Sequence, residues 1–209
     1  MSIWEKYRLR LRRQRLLARA IRKRRELQAV SDRTAQLSDD SILLVAVLRN
    51  ERIRIPYFLK YYRKLGVDQF LIIDNGSDDG SREYLAGQPD VSLWTTGSSY
   101  QSSRFGTDWI NGLLRRYAHD RWALVVDLDE FFVFPFCDTR PIRALTDWLD
   151  TSGTRSFPAM MLDMYPKGPI GAQTYAEGQD PFEVAFGFDS GNYMISRNIL
   201  YGNLWIQGG

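Results

Sequence analysis

Apolar and polar positions come in alternating blocks through the middle of this chain. Residues 41–48 form an apolar run without helical period, which predicts a buried strand. Pro56 then opens a predicted helix, at a first-turn position where its missing N–H is harmless. Tyr57, Phe58, Tyr61, Tyr62 and Leu65 make the apolar face of that helix, and Gly66 is its stop signal. Residues 69–73 read as a second buried strand running into Asp74, with the turn formers Asn75, Gly76 and Ser77 behind it. A short helix over 81–86, a third strand over 91–95 and a helix over 107–117 follow. Trp109, Ile110, Leu113, Leu114 and Tyr117 face inward on the last of these. Residues 122–126 predict a fourth strand ending in Asp127, and 142–149 another helix opened near Pro141. Beyond it the pattern loosens. Residues 157–162 and 193–195 are strand-like, separated by a Pro/Gly-rich stretch over 166–181.

Strands alternating with helices imply an α/β fold with a mostly parallel sheet covered on both faces. Such sheets bind ligands beyond the carboxyl ends of their strands. Three polar clusters fall there: Asn50-Glu51 after the first strand, Asp74-Asn75-Gly76-Ser77 after the second, and Asp127-Leu128-Asp129-Glu130 after the fourth.

Charge divides the chain. Of 209 residues and a net +3, residues 1–33 hold 12 Lys+Arg and 3 Asp+Glu, while the remainder is net acidic. Residues 1–28 lack Pro and Gly and predict a basic helix, with Trp4, Tyr7, Leu11, Leu17, Ile21 and, less regularly, Leu27 in a partial apolar stripe. Three uses suit it: packing on its own body or a partner, lying on an anionic membrane surface, or following a nucleic-acid backbone. Nucleic acid is the least favoured of them. The expected organisation is a helical arm over 1–33, a linker over 34–40 within the polar stretch 29–40, and an α/β body over 41–209.

Composition removes other classes. With 44% hydrophobic residues the chain can build a core. The single cysteine, Cys137, excludes a disulfide framework and favours a reducing compartment. It reads as a core filler, and the single histidine, His119, as solvated. No apolar run is long enough to span a bilayer, and the basic N-terminus lacks the apolar region of a signal peptide. These features predict a cytoplasmic protein, peripheral to the membrane if the arm docks there.

Asp127 and Asp129 flank Leu128 at a strand end, so alternation aims both carboxylates to one side. Two such groups repel unless a cation intervenes. Mg²⁺ or Mn²⁺ takes oxygen ligands and leaves positions for water and diphosphate. The plain alternative is an acidic strand end without metal. Asp74 and Asn75 could accept from and donate to a nucleobase, or simply build a turn. Asn50-Glu51 could pair with base or ribose, or cap a loop. Arg104 could meet a diphosphate or stay at the surface.

Taken jointly and in order, these pieces resemble the GT-A glycosyltransferases, in particular family-2-like enzymes, over about residues 41–165. The matching segments are Val45-Ala46-Val47-Leu48-Arg49-Asn50-Glu51 with Pro56 and Tyr61-Tyr62, then Leu65-Gly66-Val67-Asp68, Ile73-Asp74-Asn75-Gly76-Ser77-Asp78 and Asp127-Leu128-Asp129-Glu130-Phe131. The last matches the subgroup reading Asp-x-Asp-Glu-Phe. The resemblance implies a Rossmann-like open sheet, here preceded by a basic helix. It also implies transfer of a sugar from a nucleotide-diphosphate donor, often UDP-linked, to a glycan or lipid-linked acceptor, with inversion. Carried over, Asn50, Glu51, Asp74 and Asn75 would hold the nucleotide, Asp127 would lie near ribose and metal, and Asp129 would bind the metal. The catalytic base of such enzymes lies well downstream of this motif, and only 80 residues follow Asp129. A shortened C-terminal part is therefore expected, with Asp163 and Asp189 the remaining candidate bases. Three rivals stand beside this reading. One is a sugar nucleotidyltransferase, disfavoured because residues 48–55 contain no glycine. Another is an inactive remnant that binds a membrane or partner. The third is a nucleic-acid-binding arm with an incidental body.

Overall fold

The structure, a computed structural model, describes residues 2–169, 171, 173–191, 194–197 and 204–207, the last four by backbone alone. It divides into two compact units, Met1–Thr146 and Asp147–Gly209.

The first unit is built on a five-stranded sheet. Its strands are β1 (Gln28–Ser31), β2 (Leu43–Leu48), β3 (Gln69–Asp74), β4 (Val91–Thr95) and β5 (Ala123–Val125), in the order β1-β4-β3-β2-β5. The pairs β4-β3, β3-β2 and β2-β5 are parallel, and β1 adds to the edge antiparallel. The helices are α1 (Ile3–Lys23), α2 (Ile55–Leu65), α3 (Ser81–Ala86) and α4 (Thr107–Tyr117), and α5 (Ile142–Thr151) begins in this unit and ends in the second. This is a mostly parallel α/β sheet consistent with a Rossmann-like fold.

Strand alternation sorts the core into two faces. Leu44, Ala46, Leu48, Phe70, Ile72 and Leu93 pack with Phe58, Leu59 and Tyr62 of α2 and Leu85 of α3. Leu43, Val45, Leu71, Ile73 and Trp94 point the other way, against Trp109 and Leu113 of α4. Strands covered on both sides must be continuously apolar, which is why β2 and β3 carry no alternation in sequence.

At the end of α2, Gly66 adopts φ +100° and its N–H donates to Tyr62 and Arg63 carbonyls. A Cβ there would be strained by the left-handed backbone and would approach Pro141 Cβ to 3.3 Å. Gly66→Ala is expected to cost about 1 kcal/mol or slightly more, read as a lower urea midpoint with an unchanged slope.

Four expectations are corrected. Residues 29–40 are not a plain linker, because Gln28–Ser31 pairs with β4 and Thr34–Gln36 forms a 3-10 turn. A four-residue edge strand with an irregular register and mostly exposed residues leaves no apolar run to detect. The basic helix ends at Lys23 and passes through a 3-10 turn, Arg24–Glu26, into that strand. Residues 157–162 form no strand. Pro158 interrupts them, removing a ladder donor. The fourth strand is also shorter than expected, with three paired residues.

The second unit holds α6 (Pro181–Val184) and a hairpin of β6 (Met194–Arg197) with β7 (Leu204–Gln207). The strand expected at 193–195 is seen as β6; Tyr193 itself, like Gly208 and Gly209, lies outside the described residues. Among the described residues, no helix is long and apolar enough to cross a membrane.

Candidate functional site

The chain runs outward from β2 to β3 to β4 and then returns to place β5 on the other side of β2. That reversal makes β2/β5 a switch point, and the carboxyl ends around it form a crevice. The loops after β2, β3, β4 and β5 all meet this end of the sheet.

Asp74 closes β3 and is fully buried. Its Oδ1 accepts from the Ser77 N–H (3.0 Å), and its Oδ2 accepts from Arg82 Nε (2.9 Å) and Thr95 Oγ1 (3.3 Å). A buried carboxylate needs such partners, and here they tie the β3 turn to α3 and β4. Asn75 Nδ2 donates to the carbonyls of Thr96 and Ser98, both at 3.0 Å, and so shapes the loop after β4.

The clusters after β2 and β3 are stitched together. Asn50 N–H donates to Ser77 Oγ, and Asn50 Oδ1 accepts from the Asp78 N–H. Glu51 N–H donates to Ser81 Oγ, and Arg52 N–H to Asp79 Oδ2. The Glu51 carboxylate pairs with Arg54. Asn50 sits at φ +57°, a conformation that asparagine tolerates better than most residues. The run Asn75 to Ser81 thus serves as a set of hydrogen-bond donors, acceptors and turns that fix the mouth of the crevice.

Beside these loops lies a cavity of about 380 Å³, lined by Arg49, Asn75, Gly76, Ser98, Tyr100 and Gln101 among others. Burial raises the Tyr100 hydroxyl pKa, and the nearby Asp127 charge raises it further. The charge of Asp127, in the acidic loop after β5, is thus felt at Tyr100 on the cavity wall.

That loop is held from below by α2. Tyr62 Oη donates to the Glu130 carbonyl (2.9 Å) and accepts from the Phe132 N–H (3.0 Å), while Tyr61 Oη donates to the Phe132 carbonyl (2.9 Å). Burial raises the Tyr62 pKa far above the ordinary phenol value, so the hydroxyl stays a neutral clamp. Leu128 is buried between the two aspartates, whose residues are both exposed. Glu130 Oε2 accepts from the Asp127 N–H (2.9 Å). Desolvation, then the charge of Asp129, raises the Asp127 pKa. Glu130 is raised as well, by desolvation and by the charges of Asp127 and Asp129, which outweigh its bond from the Asp127 N–H. These are hard oxygen donors in mutual repulsion, a set that suits Mg²⁺ or Mn²⁺. Among the described residues, no three or more His, Cys, Asp or Glu side chains gather to enclose an ion. A cation at Asp127 and Asp129 would complete its shell with water or ligand oxygens, as Mg²⁺ commonly does.

Arg104 does not point its charge into open space. It sits at φ +54° with Nε and Nη2 on Asp108 Oδ1 (2.8 and 2.6 Å), and Arg19 of α1 takes the other oxygen. His119 is exposed beside Asp120. Cys137 is half-buried against the α2 side of the core.

Asp163 and Asp189 belong to the second unit. Asp163 is exposed in an irregular stretch. Asp189 is exposed too, and its Oδ1 accepts from Tyr165 Oη (2.9 Å), which raises the Tyr165 pKa.

Sequence reasoning passed over Arg49, Arg82, Thr95 and the loop 97–101. The loop had a signal: it follows a buried strand just as the three chosen clusters do, and carries the turn formers Gly97, Ser98 and Ser99. Arg82 had none, since its partner Asp74 lies eight residues away across a turn.

No family model matches the chain, and no solved structure matches it. Over 103 residues it is 28% identical to a protein of Oryza sativa subsp. japonica described as a glycosyltransferase family 92 protein, an alignment covering 46% of this chain and 16% of the relative. The chain thus spans a small part of the length of the curated relative it matches. This similarity and the motif resemblance meet at glycosyltransferases in general. The relative bears a different family number, so the family-2 placement gains no support from it.

Proposed function

We propose that the chain carries the nucleotide-sugar-binding part of a metal-assisted glycosyltransferase of GT-A type. The observation that carries this reading is the convergence, at one switch-point crevice, of the cavity beside Asn75 and Arg49 with the Asp127–Asp129 pair. Independently, the similarity to a family 92 glycosyltransferase supports a glycosyltransferase at the general level.

In this reading the donor is a nucleoside diphosphate sugar. Asn75 Oδ1, whose amide nitrogen is already committed to the loop carbonyls, accepts from the base or ribose. Arg49 sets a positive charge at the cavity for phosphate oxygens. Asp74, Asn50 and Glu51 act indirectly by fixing the loops. Arg104 is assigned to Asp108 rather than to diphosphate. Asp127 and Asp129 would hold Mg²⁺ or Mn²⁺, which supplies charge neutralisation for the departing diphosphate. The acceptor hydroxyl of a glycan or lipid-linked sugar attacks the anomeric carbon as the bond to diphosphate breaks. A carboxylate takes its proton.

Thermal denaturation with UDP and Mn²⁺ tests the reading. At ligand about a hundredfold above its dissociation constant, stabilisation of about 2.7 kcal/mol is expected, visible as a rise of several degrees in Tm that EDTA reverses. No rise, or a rise unaffected by EDTA, counts against a metal-assisted donor site.

A further inference from the structure

Helix α1 has two faces, and only one is used by the body. Arg19 bonds to Asp108 and to the Ser102 carbonyl, and Lys23 bonds to Glu26 and Ser102 Oγ. Ala20 is buried, and α4 approaches so closely at Gly112 that a Cβ there would come within 2.9 Å of Arg24 Cβ. On a helix of about 3.6 residues per turn, Ile3, Tyr7 and Ile21 fall opposite Arg19, Ala20 and Lys23, with Trp4, Leu11 and Leu17 alongside. This second apolar stripe, interrupted near its middle by Arg10 and Gln14, faces away from the body. Ile3, Trp4 and Tyr7 are 84%, 76% and 53% exposed. Arg8, Arg15 and Arg22 border the stripe on one side, and Lys6 and Arg13 on the other, all of them exposed. The helix carries nine Lys and Arg against a single acid, Glu5, and Glu5 is spent on the Ser2 capping box.

We infer that α1 is an in-plane anchor for an anionic lipid surface. Its Ile3–Trp4–Tyr7–Ile21 stripe enters the boundary between headgroups and acyl chains, and the bordering arginines meet lipid phosphates. Both halves of the pattern are needed for that partner. A nucleic-acid backbone would use the arginines and leave Ile3, Trp4 and Ile21 in water. A second copy of so basic a helix would be repelled. Trp4 and Tyr7, in the N-terminal turns of the helix, have the apolar body and polar tip that suit an interface. The root of the anchor is fixed to Ser102, next to the cavity loop through Gln101, so the cavity wall would ride at a set height over the bilayer. The inference stands whether or not the cavity binds a sugar nucleotide.

The test is co-sedimentation of the full chain with vesicles of phosphatidylcholine alone or with about a quarter phosphatidylglycerol. Wild type is expected to pellet with the anionic vesicles only. The double variant Trp4→Asp/Tyr7→Asp and the double variant Arg8→Glu/Arg15→Glu should each lower the partition coefficient about tenfold or more. All four positions are exposed, so the melting temperature should not move; it is measured to verify folding. Absence of pelleting overturns the inference. So does undiminished pelleting of the Asp variant, or duplex-DNA binding that this variant retains while vesicle binding is absent in wild type.

Discussion

Asp129→Asn is expected to lower the proposed transfer from a nucleotide-sugar donor by about a thousandfold while raising the melting temperature at neutral pH. The two effects have one origin. Asp127 is raised by desolvation and by the Asp129 charge, and Glu130 by desolvation and by both aspartates. A carboxyl whose native pKa lies above its unfolded value favours folding fully below the unfolded value, near pH 4 for these groups. That contribution is lost as pH rises through the raised native values, so at neutral pH the unliganded protein carries the whole repulsion. Removing the Asp129 charge relieves part of it. The same substitution takes a carboxylate oxygen from the proposed divalent-ion site, and the variant should lose the EDTA-sensitive response to UDP and Mn²⁺ expected of that site. Scans at about pH 7 and pH 4 separate electrostatics from packing, because the gain in Tm should be larger at the higher pH. Wild-type transfer by the variant, or an unchanged Mn²⁺ response, would remove Asp129 from the metal site.

The parts of the fold that can be read from sequence are those in which burial alone dictates residue type. Strand 91–95 and helices 81–86 and 107–117 agree with β4, α3 and α4 residue for residue, since apolar runs and helical stripes are set by what they face. The edge strand β1 was invisible because its stability comes from backbone pairing with β4, which asks little of its side chains. Candidate chemistry followed the same division. The position of the polar clusters at strand ends was legible, as was the pairing of Asp127 with Asp129. What each side chain touches was not. Asn50 reads equally as a ligand-binding amide or as the acceptor for the Asp78 N–H, and only the fold brings Asp78 to it. Tyr61 and Tyr62 read as an apolar helix face, yet their hydroxyls clamp the loop from Glu130 to Phe132 some seventy residues away. The apolar stripe of the arm was visible too, but not that the body packs on its opposite side.

Asp108→Asn is expected to destabilise the first unit by about 2–3 kcal/mol, lowering its Tm by roughly 5–10 °C, and to loosen α1. The carboxylate is fully buried, with Arg104 on one oxygen and Arg19 on the other. An amide cannot balance both guanidiniums. Each of these is about a third exposed, so solvent offsets part of the loss that a wholly buried pair would suffer. Arg104 is also held in a left-handed conformation that arginine rarely adopts, and its bonds to Asp108 help keep it there. Burial pushes the Asp108 carboxyl up, but Arg104 and Arg19 more than reverse this and hold it below the usual carboxylate range. Its stabilisation is therefore present above the unfolded value, near pH 4, and is lost as pH falls through the lowered native value. The difference in stability between wild type and variant should accordingly shrink in acid. Arg19→Ala gives the comparison that isolates the arm, because it leaves the Arg104–Asp108 pair in place. Both variants should expose the arginine-rich helix to trypsin faster than wild type, whereas only Asp108→Asn should also disturb the turn into α4. If Asp108→Asn melts with wild type at neutral pH and its arm resists trypsin equally, the arm is held by the close contact at Gly112 rather than by charge.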